Sequence, residues 1–177
     1  ARTCPGRIVK FGSVPLSEAE GAFLAHAVQA GEVRFKKGTR LAVPEIAALQ
    51  TAGIGEVIVA RLEEGDIAED NAAARLAATA LHPSVRIASP STGRVNIHAE
   101  ADGLFVVDRH AIEAINRVDP SITIATLAEF APVACGQMVA TVKIIPFAVP
   151  VEKLDAAIAA AKSASPLLKV APWFSKP

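Results

Sequence analysis

Apolar residues recur along this chain in two rhythms, and the alternation between them outlines its elements. Residues 7–11 (RIVKF) read as a short strand. Ser17-Glu18-Ala19-Glu20 has the S-x-x-E form of a capping box, which predicts a short helical turn ending at Gly21. Large and small apolar residues alternate over residues 23–28, as in a strand, and Gly31 allows a turn into a second run over residues 33–36. Pro44 suits the first turn of a helix, where its missing N–H is no loss, and Ile46, Ala47 and Leu49 place apolar groups mainly on one side before Gly53. Val57, Ile58, Val59 and Leu62 then predict a buried strand. Asp66 is placed to cap a second helix, with Glu69 and Asp70 near the positive end of its dipole and Ala72, Leu76 and Ala80 on one face.

From residue 85 the pattern shortens into strands broken by turn residues: VRIA, a PSTG turn, RVNIHA, an ADG turn and LFVV. Asp102-Gly103 is the clearest hairpin signal in the chain. Asp108 predicts a cap for a helix carrying Ile112, Ile115 and Val118, which Asp119-Pro120 ends. Residues 122–127 and 138–145 read as further strands, the second long and β-branched. Val151, Leu154, Ile158 and Ala161 mark a last amphipathic helix, and residues 167–170 are extended. About eight or nine strands and four or five helices in irregular order predict an α+β fold of mostly antiparallel short strands, with room for two lobes, rather than a doubly wound sheet.

Charge and composition narrow the function. Eighteen basic and eighteen acidic residues among 177 cancel, so no overall field draws the protein to nucleic acid or to an anionic membrane surface. The apolar runs are short and cut by proline, which argues against a membrane span. The opening ARTCPGRIVKFG lacks the apolar stretch of a secretory signal. Cys4 and Cys135 share no motif spacing, which fits free thiols and a cytoplasmic location.

Most polar motifs have an ordinary structural explanation. His26, His82, His98 and His110 form no H-x-x-x-H or H-x-H pair, and Asp108-Arg109-His110 points its side chains in different directions from a helix start. The acidic run Glu63, Glu64, Asp66, Glu69 and Asp70 offers the hard oxygens of a Mg²⁺ site, but reads more simply as a solvated loop entering a helix. No metal-ligating residues are assigned, and Mg²⁺ is kept as an alternative cofactor at that run. Lys36-Lys37-Gly38 suggests a phosphate grip, yet Gly53-Ile54-Gly55 follows a helix and precedes a strand, the reverse of the dinucleotide-binding order. Two polar places remain. One is the turn Thr92-Gly93-Arg94-Val95-Asn96, where a glycine turn beside an arginine offers anion contacts. The other is GQMVATVKIIPF, with Gln137 and Lys143 on an otherwise apolar strand; Lys143 either contacts a ligand or guards a sheet edge.

The segments PLSEAEGAFLAHAV and FKKGTRLAVPEIAALQTAGIGEVIVARL resemble the N-terminal part of molybdopterin molybdotransferases, with Gly38, Thr39, Leu41, Ile46, Leu49, Gly53, Ile54, Val57 and Val59 in step. With TGRVN and GQMVATVKIIPFAV included, residues 10–170 resemble the N-terminal region of bacterial molybdopterin-binding proteins, some of which carry a nucleotidyltransferase domain. The M-D-G-Y segment of the molybdotransferases has no counterpart between Val28 and Phe35, nor does their pterin-phosphate loop in this chain. The resemblance therefore implies a module that binds molybdopterin or molybdenum cofactor and is not catalytic by itself, within a longer molybdotransferase-like or nucleotidyltransferase-like parent. The implied partners are the pterin cofactor and other proteins of its pathway. The cofactor-binding residues expected are Thr92, Gly93, Arg94, Asn96, Gln137 and Lys143. The organisation expected is a flexible extension over residues 1–10, one domain over residues 11–170 and a linker over residues 171–177. The alternative is an assembly domain without a ligand, in which the apolar strand over residues 138–145 lies at a sheet edge and pairs between subunits.

Overall fold

A computed structural model describes residues 10–173; Cys4 and the start of the RIVKF strand lie outside the described residues. The fold is α+β, every strand pair among the described residues is antiparallel, and the chain divides into two compact units, residues 1–64 and 65–177.

The N-terminal unit begins with β1 (Lys10–Pro15), followed by β2 (Phe23–Leu24), β3 (Val28–Ala30), β4 (Val33–Phe35), α1 (Val43–Thr51) and β5 (Glu56–Arg61). β5 lies between β1 and β2, while β3 and β4 form a hairpin across Gly31, whose φ of 59° explains the glycine. The single strand expected over residues 23–28 is divided, because after β2 the Ala25 N–H continues to the Ile58 carbonyl and the chain bends at His26. The expected capping box at Ser17 does not form. Residues 16–18 make a 3₁₀ turn that buries Leu16, and its backbone N–H donates to the Gly55 carbonyl instead. Pro44 does stand in the first turn of α1, where the Glu45 carboxylate accepts the Ala42 N–H at 3.1 Å. Leu24, Leu41, Leu49 and Val59, each at most 1% exposed, close the core of this unit.

The C-terminal unit continues with β6 (Asp66–Ala68), α2 (Glu69–Ala77), β7 (Val85–Ile87), β8 (Arg94–Ala99), β9 (Gly103–Val107), α3 (Arg109–Val118), β10 (Ile122–Thr126), β11 (Pro132–Val133), β12 (Met138–Ile144), β13 (Ala148–Pro150), α4 (Val151–Lys162) and β14 (Leu168–Pro172). Its main sheet has the order β10-β12-β8-β7, a second has β11-β9-β14, and β13 pairs with β6. α2 packs on β8 and β12, and α3 packs on β10 and α4, around a core that includes Phe105, Ile97, Ile115, Val142 and Leu154.

Asp108 caps α3 as expected, accepting the Ala111 N–H at 3.0 Å. Asn116 then fastens that helix to the sheet by donating to the Ile124 carbonyl and accepting the Ile124 N–H. Three other expectations change. Asp66 does not cap α2: it pairs with Pro150 in the β6–β13 ladder, and the Glu69 N–H at the helix start donates to the Phe147 carbonyl. Asp102-Gly103 does not turn a hairpin, because β8 pairs with β12 and β7 whereas β9 pairs with β11 and β14. β12 is not an edge strand, since β10 and β8 take its hydrogen bonds on both sides. Lys143 therefore does not guard an edge, and β12 offers no free ladder to a second subunit. Among the described residues, no helix is long and apolar enough to cross a membrane.

Candidate functional site

Strand alternation in β8 and β12 separates an apolar face from a polar one. Val95, Ile97, Val142 and Ile144 are fully buried against the core, while Asn96, His98, Thr141 and Lys143 are half-buried on the other face and Arg94 is exposed there. Antiparallel register sets Lys143 opposite Arg94 and Thr141 opposite Asn96, and on β10 it sets Thr123 opposite Lys143. Toward the far end, Met138 faces His98, which faces Arg86 on β7.

The near end is closed by the tight turn joining β7 to β8. Thr92 and Gly93 both take positive φ, 49° and 71°, as a two-residue hairpin loop requires. Ser91 and Arg94 exchange backbone hydrogen bonds across it, and the Gly93 carbonyl accepts the Ile144 N–H at 2.7 Å. Lys143 Nζ donates to the Thr92 carbonyl, which holds the ammonium over the turn. Thr141 Oγ1 donates to Asn96 Oδ1 at 2.9 Å, and Thr123 Oγ1 donates to the Lys143 carbonyl at 3.0 Å. Among the described residues, the Arg94 guanidinium has no hydrogen bond or ion pair.

The turn is not an open nest of amides. The Gly93 N–H donates to Asp70 Oδ1 at 2.7 Å, so the first turn of α2 already occupies the donor expected to meet an anion. The buried Glu69 carboxylate also lies behind Gly93, close to where a Cβ would stand. An anion would therefore meet this site through Arg94, Lys143, Asn96 and Thr141, on the face away from both carboxylates.

Thr92, Gly93, Arg94, Asn96 and Lys143 thus come together, whereas Gln137 does not. It lies just before the opposite end of β12, roughly 20 Å from Lys143 along the strand, in the turn over residues 134–137, where its Oε1 accepts the Ala134 N–H. Sequence reasoning missed Thr141 and Thr123. The alternation Thr141, Val142, Lys143, Ile144 would have placed Thr141 beside Lys143, but only the ladder brings Thr123 and Asp70 to the same place. Among the described residues no three His, Cys, Asp or Glu side chains are gathered so as to hold a metal ion.

Gly93→Ala is expected to destabilise the C-terminal unit by about 2 kcal/mol or more, from left-handed backbone strain and from a Cβ placed 2.5 Å from the Ile144 carbonyl oxygen. Urea unfolding followed by circular dichroism checks this, and a midpoint equal to that of the parent would contradict the turn geometry.

A family model described as a domain of unknown function (DUF8806) matches residues 13–61, within the N-terminal unit. No curated protein and no solved structure matches the chain.

Proposed function

We propose that this chain is a non-catalytic molybdopterin-binding module, and that the polar face of β8 and β12 receives the anionic part of the pterin cofactor. The observation that carries this reading is the juxtaposition of Arg94 and Lys143 at directly opposed ladder positions. Like charges so placed repel one another and weaken the pair. A phosphate between them turns that repulsion into two charge-assisted hydrogen bonds. Asn96 and Thr141 extend the same row with an amide and a hydroxyl suited to the polar edge of a ring. Support for the pterin in particular comes from the likeness of residues 36–59, 92–96 and 136–149 to molybdopterin-binding proteins. The assembly alternative loses its motive, because the strand proposed to pair between subunits is central in its sheet.

The double variant Arg94→Ala/Lys143→Ala is expected to fold with unchanged or slightly raised stability, since it removes a repulsion, and to bind molybdopterin at least about 10-fold more weakly. Isothermal titration calorimetry of the whole chain with molybdopterin tests it. Equal affinity in the parent and the double variant would refute this assignment.

A further inference from the structure

The polar face of β8 does not end at Asn96. Two residues further along, His98 stands on the same face, with Met138 directly opposite on β12 and Arg86 directly opposite on β7. Opposed residues of an antiparallel ladder share a face, so register alone sets these three in one row across the sheet. That row lies four residues from Arg94 along β8, about 13 Å. Between the two rows the ladder carries no side chain longer than that of Asn96: Thr141 is opposite Asn96, Ala125 is opposite Thr141, and the Ala88 N–H donates to the Asn96 carbonyl.

The two rows differ in chemistry. Arg94 and Lys143 give the first a net positive charge. In the second, Arg86 Nε donates to the Glu100 carboxylate at 3.1 Å, which balances the charge and anchors one edge of the guanidinium plane. Met138 is 47% exposed, a polarizable thioether on an otherwise polar face. His98 Nδ1 is shielded from water, yet among the described residues it has no hydrogen-bond partner. A balanced guanidinium, a thioether and an imidazole attract an uncharged planar ring by stacking and contact, whereas Glu100 would repel a second anion. A polar ring edge also offers His98 the partner it lacks, once the exposed Met138 and Arg86 side chains part.

We infer that Arg86, His98 and Met138 are the ring-binding end of this site, so that its ligand is an elongated phosphomonoester lying along β8. The phosphate sits at Arg94 and Lys143, an uncharged planar ring lies about 13 Å away, and Asn96 and Thr141 meet the polar groups between them. The inference rests on the phosphate assignment proposed above and adds to it the length and direction of the ligand. Two-dimensional NMR of the whole chain tests it, with inorganic phosphate, phenyl phosphate and riboflavin 5′-phosphate as probes; in the last a polyol chain separates phosphate from ring. All three should shift the Thr92, Gly93 and Arg94 amides saturably. Riboflavin phosphate alone should also shift those of Arg86, His98 and Met138, and should bind at least about 5-fold more tightly than phenyl phosphate. Arg86→Ala/Met138→Ala, at two exposed positions, should erase that preference while inorganic phosphate binds as in the parent. Shifts at residues 92–94 with equal affinity for riboflavin phosphate and phenyl phosphate would overturn the ring end and leave the phosphate assignment standing, as would a preference that survives in the folded double variant. No response of residues 92–94 to any probe would refute the phosphate assignment, and this inference with it.

Discussion

Gly103→Ala is expected to prevent stable folding of the C-terminal unit. A Cβ on Gly103 would stand 2.1 Å from the Ala171 carbonyl oxygen and 2.8 Å from both the Ala171 carbonyl carbon and a Val170 methyl group. Two of these are backbone atoms of β14, held in register against β9 from Leu168 opposite Val107 to Pro172 opposite Gly103, so no side-chain rotation relieves the overlap. On the other side β11 pairs with the same residue through Val133, which prevents β9 from moving away. Overpacking in a core that can adjust costs about 1–3 kcal/mol; here separation requires opening the β9–β14 ladder, and a loss above about 3 kcal/mol is expected. Gly12→Ala is the matched control, because a Cβ there meets nothing within 4 Å. It should leave stability unchanged or raise it by a few tenths of a kcal/mol, to about 1. Thermal and urea unfolding of the two variants decide the point: a Gly103→Ala protein as stable as its parent would mean that β9 and β14 do not approach as described.

Leu41→Ala should unfold the N-terminal unit while leaving the C-terminal unit folded. Leu41 is fully buried in the apolar cluster with Leu16, Leu24 and Leu49, and its backbone is bonded on both sides to the loop at Gly21 and Ala22. Removing the side chain costs about 3–4 kcal/mol where the surroundings cannot collapse into the space. A unit of this size has a total stability of only about 3–8 kcal/mol, so the loss consumes much or all of it. Hydrogen exchange should show amides of β5 and α1 losing protection while those of β8 and β12 keep theirs. Equal loss in both units would mean that they unfold as one cooperative body.

How far the sequence reaches is clear at particular residues. Period-2 alternation and β-branching placed β8, β10 and β12 within a residue or two, and helical spacing with Asp108 and Pro44 placed α3 and α1. Each of these signals is local: a strand face or a cap is decided by residues within one or two turns. The short strands β6, β11 and β13 carry no such signal, since two or three residues cannot show a period and exist as strands only because a partner accepts their hydrogen bonds. Asp102-Gly103 misled for a related reason. A glycine after an aspartate fits a tight turn, but this one serves the approach of a strand some seventy residues later.

The candidate site divides the same way. Sequence alone identified a glycine turn beside an arginine and a lysine on an apolar strand, because turn chemistry and a misplaced charge are visible in one dimension. Only the fold decided that Lys143 stands opposite Arg94, that Gln137 lies at the other end of its strand, and that Asp70 takes the Gly93 amide. The reason is physical: the free energy that selects strand order comes from burying a common core and pairing backbone groups over long separations. Side chains on the outer face are carried to their neighbours by that choice, so their company is a consequence of the core rather than of their own local sequence.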